Sequence, residues 1–221
     1  MDVHESKIIC FLEDAIPLDS ATRIEKDMTN ADVKISPNEL AFDIDGVFAD
    51  TFRVFVETAR NEYGLDFEYE DITEYDFRSV LDIDEGISRE IIERILDYPI
   101  EMGIRPIIGA VEVLTGLSRH GPLLFVTARS NKESIFRWIH RQLRWVDKGV
   151  IRIEATGNHQ EKLPILLKHG IKYFVEDRLD TCDLLAKASV TPIVFEQPWN
   201  RKPHSFQSVK NWDDISHMID W

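Results

Sequence analysis

The sequence predicts an α/β fold, a doubly wound parallel sheet with a small helical cap inserted after its first strand. From about Glu39 onward, short apolar runs alternate with amphipathic helical stretches, the pattern of a parallel sheet covered by helices. Informative polar residues follow the apolar runs, at the strand ends where such sheets bind ligands. Nearly eighty residues separate the first run from the second, far more than one crossover helix needs.

Residues 1–38 form an N-terminal extension. Within it Ile8, Phe11, Leu12 and Ala15 fall on one face of a helix, either packing on its own domain or making a homodimer contact. The first strand is Leu40 to Ile44, the second Pro122 to Val126, the third Val150 to Ile153, the fourth Ile171 to Val175 and the fifth Val190 to Phe195. Each of the last four follows a helical pattern, and right-handed crossovers then give a Rossmann-like sandwich. Helical spacing in Phe52-Phe55-Val56-Ala59 and in Ile87-Ile91-Ile95 places two amphipathic helices in the insertion, joined by the acidic, aromatic segment Asp66 to Asp84. The reading is a core of 39–49 and 106–221 and a cap of 50–105, with Gly109 to Ser118 as the helix returning to the core.

Of the 221 residues, 43% are hydrophobic and 30% charged, enough to bury a core and too apolar for a disordered chain. The formal net charge of −14 repels nucleic-acid phosphates, so no nucleic-acid partner is expected. An anionic small substrate meets the same field, and a phosphate site here needs a metal ion or local basic groups to reverse the sign. Cys10 and Cys182 lie far apart with no His cluster nearby, as buried thiols rather than a disulfide or zinc framework. Glu5, Glu13 and Asp14 interrupt the N-terminal apolar residues. No run approaches the roughly 20 apolar residues that span a bilayer, so no membrane partner and a cytoplasmic location are expected.

The strongest local signal is AFDIDGVFADT, residues 41–51. Residues i and i+2 of a strand point to the same side, so Asp43 and Asp45 can converge on one small ligand, and Gly46 permits the tight turn that follows. Paired carboxylates need a cation between them or a shared proton.

These residues resemble the first motif of the haloacid dehalogenase (HAD) superfamily, a hydrophobic strand followed by DxDG. The resemblance makes Asp43 the nucleophile that forms an aspartyl-phosphate and Asp45 the general acid/base. An aspartate at the second position is similar to the phosphatase branch rather than the dehalogenases. Thr127, in LLFVTAR, matches the second motif, whose hydroxyl bonds a phosphate oxygen, with Ala128 and Arg129 beside it as substrate-binding candidates. Lys162 follows 35 residues after Thr127, at the head of a helical stretch, and matches the lysine that neutralises the nucleophile and the transferring phosphoryl group. Glu176-Asp177, after YFV, matches the acidic motif that completes a metal site. The resemblance covers about residues 39–200.

Mg²⁺ takes about six oxygens and keeps several waters. Asp43, Asp177 and the backbone carbonyl of Asp45 would bind it, with Glu176 in direct contact or behind them. Ser130 is read as a helix N-cap before Asn131-Lys132-Glu133. Arg129 could reach substrate or fix its loop by a salt bridge. Arg178 is read as structural and His159 as a surface or loop histidine. Within the superfamily, DGVFAD, ITEYDF, FVTAR, VEDR and FEQPWN look most like the 5′(3′)-deoxyribonucleotidase-like group, in which cap aromatics pack on a nucleobase. Phe48, Phe52, Tyr75 and Phe77 are the candidates here. The expected function is Mg²⁺-dependent hydrolysis of a phosphomonoester, a small phosphorylated metabolite with a nucleoside monophosphate leading. The alternatives are a sugar phosphate or other small metabolite, or a non-catalytic phosphate-binding regulatory module.

Overall fold

The computed structural model describes residues 34–221, so the helix face of Ile8, Phe11, Leu12 and Ala15, and Cys10, lie outside the described residues. Six parallel strands form one sheet: β1 (Leu40–Phe42), β2 (Leu123–Thr127), β3 (Ile151–Ala155), β4 (Tyr173–Glu176), β5 (Thr191–Phe195) and β6 (Gln207–Val209), in the order β3-β2-β1-β4-β5-β6. The chain winds outward from β1 to β3, then returns to β4 on the other side of β1. This places the reversal of winding, where such sheets bind ligands, at the carboxyl end of β1.

The side-chain period of two decides what covers each face. Phe42, Phe125, Val175 and Ile193 share one core cluster with Leu114 of α3 (Ala110–Leu117), Trp138 and Ile139 of α4 (Lys132–Gln142), and Trp212 and Ile215 of α7 (Trp212–Met218). Their strand neighbours Ala41, Leu124, Val126 and Phe174 pack on the opposite face with Leu166 of α5 (Lys162–Lys168) and Leu185 of α6 (Leu179–Ala186). Cys182 is a buried free thiol of α6. The sequence reading contains no β6, because its first two residues are exposed and leave no apolar run to detect.

The segment between β1 and β2 leaves and rejoins the sheet side by side: Asp50 N donates to Arg105 O at 2.9 Å and Ile107 N to Phe48 O at 2.8 Å. Its two helices are α1 (Thr51–Tyr63) and α2 (Glu85–Asp97). The first buries Val54, Phe55, Val56 and Ala59 and stops at Gly64, whose φ of 68° is left-handed. The second starts at Asp84, whose carboxylate accepts from Gly86 N and Ile87 N, and buries Ser88, Ile91 and Ile95. Single 3₁₀ turns at Tyr69–Asp71 and Phe77–Ser79 fill the connection.

Two local expectations are corrected. The N-cap of α4 is Asn131, whose side chain accepts from Ser134 N at 3.3 Å; helical backbone begins one residue later than the Ser130 reading requires. Phe48 does not face a ligand space. The N–H groups of Val47, Phe48 and Ala49 all turn back onto Ile44 O, which carries the Phe48 ring into the core, 5.5 Å from Phe125 and 5.0 Å from Trp138, with none of its surface exposed. Phe48→Ala is therefore expected to lower folding stability by about 3–5 kcal/mol in urea titration. Substrate ranking should not change at temperatures where the variant is folded; a changed ranking at unaltered stability would return Phe48 to the substrate pocket.

Candidate active site

Asp43 follows β1 directly, its N–H donating to Val175 O of the neighbouring strand at 2.9 Å. The turn after it needs Gly46 twice over. Its φ is +74°, and a Cβ there would lie 2.2 Å from Asp177 Oδ2 and 3.1 Å from the Trp199 ring. The absence of a side chain lets the turn after β1 close against the acidic pair after β4.

Lys162, at the first turn of α5 and fully buried, bridges the two groups: its Nζ lies 2.9 Å from Asp43 Oδ2 and donates to Glu176 Oε2 at 2.8 Å. Burial works against its charge, but Asp43 and Glu176 outweigh burial and raise its pKa, so it stays an ammonium. Glu176 has no oxygen left over, since Oε1 accepts from the N–H groups of Asp177 and Arg178 at 3.1 and 3.0 Å. Burial raises its pKa, yet Lys162 and these N–H groups hold it below the usual carboxylate range. Four carboxylates, Asp43, Asp45, Glu176 and Asp177, thus meet two cations, Lys162 and Arg129. Burial pushes the Asp43 carboxyl up to about 8 against the pull of Lys162, with Glu176 and Asp45 adding to the rise. Asp177 is driven well above its ordinary value by burial, then by Glu176 and Asp43.

A cation would let Asp43 and Asp177 ionise together. The carboxylates of Asp43, Glu176 and Asp177 have oxygens within 4.8 Å of one another, but both oxygens of Glu176 are already bonded, which leaves Asp43 and Asp177 to hold an ion. Asp43 Oδ1 and Asp177 Oδ1 are buried without any hydrogen-bond partner, a costly state for an acceptor that a ligand would relieve. The second oxygen of Asp177 is held by Trp199 Nε1 at 3.0 Å and its backbone carbonyl by Asn200 Nδ2 at 2.8 Å, so the open oxygen is presented in one orientation. Gln197 donates to Gly46 O at 2.6 Å and accepts from the Tyr69 hydroxyl at 2.7 Å, tying the first turn to the 3₁₀ turn at Tyr69–Asp71. Sequence reasoning missed Gln197, Trp199 and Asn200 as supports of the site. The only available signal was a polar run with an indole, FEQPWN, directly after the fifth strand.

Thr127 ends β2 beside Asp43 and is buried, its Oγ1 accepting from Arg129 N at 3.2 Å; Ala128 follows, half-buried. Arg129 does not point to a substrate. Its Nε and Nη2 donate to Asp45 Oδ2 and Oδ1 at 2.9 and 2.7 Å, and its Nη1 to Ile95 O and Leu96 O of α2 at 3.4 and 3.2 Å. The guanidinium fork is consumed by these bonds, so of the two readings of Arg129 it is the salt bridge that forms. Asp45 Oδ1 also accepts from Thr51 Oγ1 at 2.6 Å. Burial alone would raise the Asp45 pKa, but Arg129 and Thr51 bring it below the ordinary value.

Next to Asp45 opens a cavity of ≈ 490 Å³, walled by Phe52, Phe55, Tyr75 and Phe77, with Thr51, Arg78 and Arg178 among its polar groups. Arg178 lies 4.9 Å over the Tyr75 ring, and His159 meets that ring edge-on at 5.6 Å. Arg178 also lines the cavity, and His159, a loop residue as the sequence suggests, is half-buried against Tyr75, where burial, then Lys162 and Arg178, lower its pKa to about 4.

Residues 38–220 match the family model described as 5′ nucleotidase, deoxy (Pyrimidine), cytosolic type C protein. No curated protein matches the sequence significantly. Among solved structures, a HAD-superfamily hydrolase of subfamily IA from Geobacter sulfurreducens is similar at 18% identity and TM-score 0.53, covering 86% of this chain and 99% of its own. A haloacid dehalogenase-like hydrolase from Streptococcus pneumoniae is similar at 12% identity and TM-score 0.54, with coverages of 83% and 98%. A hydrolase from Pseudomonas syringae aligns at 13% identity and TM-score 0.51, with coverages of 82% and 99%. These likenesses are of fold.

Proposed function

We propose, from the premise that the chain belongs to the family of cytosolic type C 5′ nucleotidases, that it is a cytoplasmic Mg²⁺-dependent phosphatase of a nucleoside monophosphate. A HAD-type, 5′-nucleotidase-like hydrolase acts on small phosphorylated substrates, and no helix among the described residues is long and apolar enough to cross a membrane. The observation that carries the finer reading is the pair of buried, unpartnered oxygens, Asp43 Oδ1 and Asp177 Oδ1. With Lys162 between the carboxylates, they stand beside an aromatic-walled cavity of a size that accepts a nucleoside.

Asp43 and Asp177, with the backbone carbonyl of Asp45, are the proposed Mg²⁺ ligands; Glu176 acts by holding Lys162. When bound, the ion neutralises the excess negative charge and draws the phosphate into an acidic cleft. An Asp43 oxygen forms a bond to phosphorus as the bond to the leaving oxygen breaks, and Asp45, which must first take up a proton against the pull of Arg129 and Thr51, gives that oxygen a proton. Lys162 and the Thr127 hydroxyl hold the phosphoryl oxygens while charge develops on them. Water then attacks phosphorus, gives a proton to Asp45, and releases inorganic phosphate from Asp43. The Asp45 carboxylate, held by Arg129 and Thr51, is in the form this second step requires. Segment 50–105 works as the cap that reads the leaving group, with Phe52 and Phe77 as walls for a base.

The test is a panel of nucleoside monophosphates, sugar phosphates and p-nitrophenyl phosphate with purified protein and Mg²⁺. The expected result is the highest kcat/KM for one or more nucleoside monophosphates. Preference for a sugar phosphate would move the substrate class, and no turnover of any ester would remove the catalytic reading.

A further inference from the structure

Each of the two carboxylates that would hold Mg²⁺ has one oxygen open and the other taken. Asp43 Oδ1 and Asp177 Oδ1 are buried without a partner. Asp43 Oδ2 lies 2.9 Å from Lys162 Nζ, and Asp177 Oδ2 accepts from Trp199 Nε1 at 3.0 Å. The two donors differ in kind. Lys162 is charged and shared between Asp43 and Glu176, whereas the indole of Trp199 is neutral, comes from beyond β5, and gives its single N–H to Asp177.

The indole is held in place by its neighbours. Trp199 belongs to the 3₁₀ turn Pro198–Asn200, where Asn200 Oδ1 accepts from Gln197 N at 2.9 Å and Asn200 Nδ2 donates to Phe195 O and Asp177 O, at 2.8 Å each. Its ring packs 4.1 Å from the Phe52 ring and 5.9 Å from that of Tyr69, and the residue is 3% exposed. Gly46 closes on the same Asp177 oxygen, where even a Cβ would lie at 2.2 Å. Asp177 Oδ2 is thus confined between the turn after β1 and the indole.

Mg²⁺ demands near-octahedral coordination by about six oxygens at about 2.0–2.1 Å, whereas Ca²⁺ takes about six to eight at about 2.3–2.6 Å and accepts a carboxylate through one oxygen or through both. A carboxylate whose second oxygen is already bonded offers an ion one oxygen. We infer, resting on the Mg²⁺-dependent reading above, that Trp199 is a positioning residue that biases the choice of ion. By holding Asp177 Oδ2 it restricts Asp177 to coordination through Oδ1 alone, which costs Mg²⁺ nothing and denies Ca²⁺ a second oxygen.

Trp199→Phe keeps a ring against Phe52 and removes the N–H. In metal-free buffer with no ester present, calorimetric titration of the folded variant should show Mg²⁺ affinity lower by about tenfold, since a partner that orients a ligand is worth roughly 10–100-fold in metal affinity. Ca²⁺, able to take both freed oxygens, should lose nothing or gain, so the ratio of Mg²⁺ to Ca²⁺ affinity falls by about tenfold. An equal loss for both ions overturns the proposal, because Trp199 then only supports the packing, and unchanged affinities overturn it as well. Infrared spectroscopy of the wild type checks the same claim without a substitution. The carboxylate stretches that shift on adding Ca²⁺ should keep the wide spacing of single-oxygen coordination, and the narrow spacing of two-oxygen coordination overturns the proposal whether or not Trp199→Phe folds. Failure of the phosphatase reading shows separately, as absence of turnover of every ester by the wild-type protein with Mg²⁺.

Discussion

Replacing Asp43 by Asn is expected to reduce kcat by about 10⁴-fold or more, as loss of a covalent nucleophile does elsewhere, while the chain still folds. The amide cannot attack phosphorus, and its carbonyl can still accept from Lys162, now 2.9 Å from Asp43 Oδ2. In metal-free buffer the variant should be at least as stable as the wild type, because Asp43 is a liability there. Its folded pKa is raised from 3.8 to about 8 by burial, so the unfolded chain ionises first as pH rises. The folded state loses stability across roughly pH 4–8, and the loss levels off above that window. An asparagine lacks this pH dependence. Thermal denaturation of both proteins at pH 5 and pH 8 with chelator present checks the sign: the advantage of Asp43→Asn should be larger at pH 8. Wild-type-like hydrolysis by the folded variant would sink the assignment of the nucleophile.

Removing divalent metal should be as severe for activity. Two open, buried carboxylate oxygens, on groups that burial keeps from ionising without a counter-ion, form a site that binds an anion poorly until a cation occupies it. Turnover is expected to fall to background in excess chelator and to return with Mg²⁺. Ca²⁺ should restore little, since its longer and looser coordination places the same oxygens differently. A readout independent of activity is stability. Binding to the folded chain alone should add about 2.7 kcal/mol at 100 times the dissociation constant, seen as a rising melting temperature on titration with Mg²⁺. Full activity after thorough chelation would refute the metal role. An unmoved melting temperature would refute binding at Asp43 and Asp177.

Much of this site could be read along the chain because its chemistry sits at strand ends. Asp43, Thr127 and Glu176 each close an apolar run, and such runs are short, contiguous and separated by helical spacing. What could not be read is where side chains outside the strands point. Phe48 is five residues from Asp43 and turns into the core, because three successive N–H groups fold back onto one carbonyl. Arg129 is two residues from Thr127 and turns to Asp45 and the end of α2, contacts across 84 and 33 residues of chain. Trp199 and Asn200 reach Asp177 from beyond β5, and nothing near them in sequence signals a partner 22 or 23 residues away.

The sequence by itself determined the parallel α/β core, the long insertion after the first strand and the family, since these depend on periodicity and on residue types at local spacing. Tertiary structure alone decided which oxygens of the carboxylate cluster are open and which are taken. It also decided that Arg129 pairs with Asp45, and that Tyr75 lies under Arg178 while Phe48 lies in the core. Local spacing sets the direction of a side chain only within a regular strand or helix. Beyond those ends direction follows from packing between distant segments, and at Asp43 and Asp177 from whether a buried oxygen finds a donor within the fold.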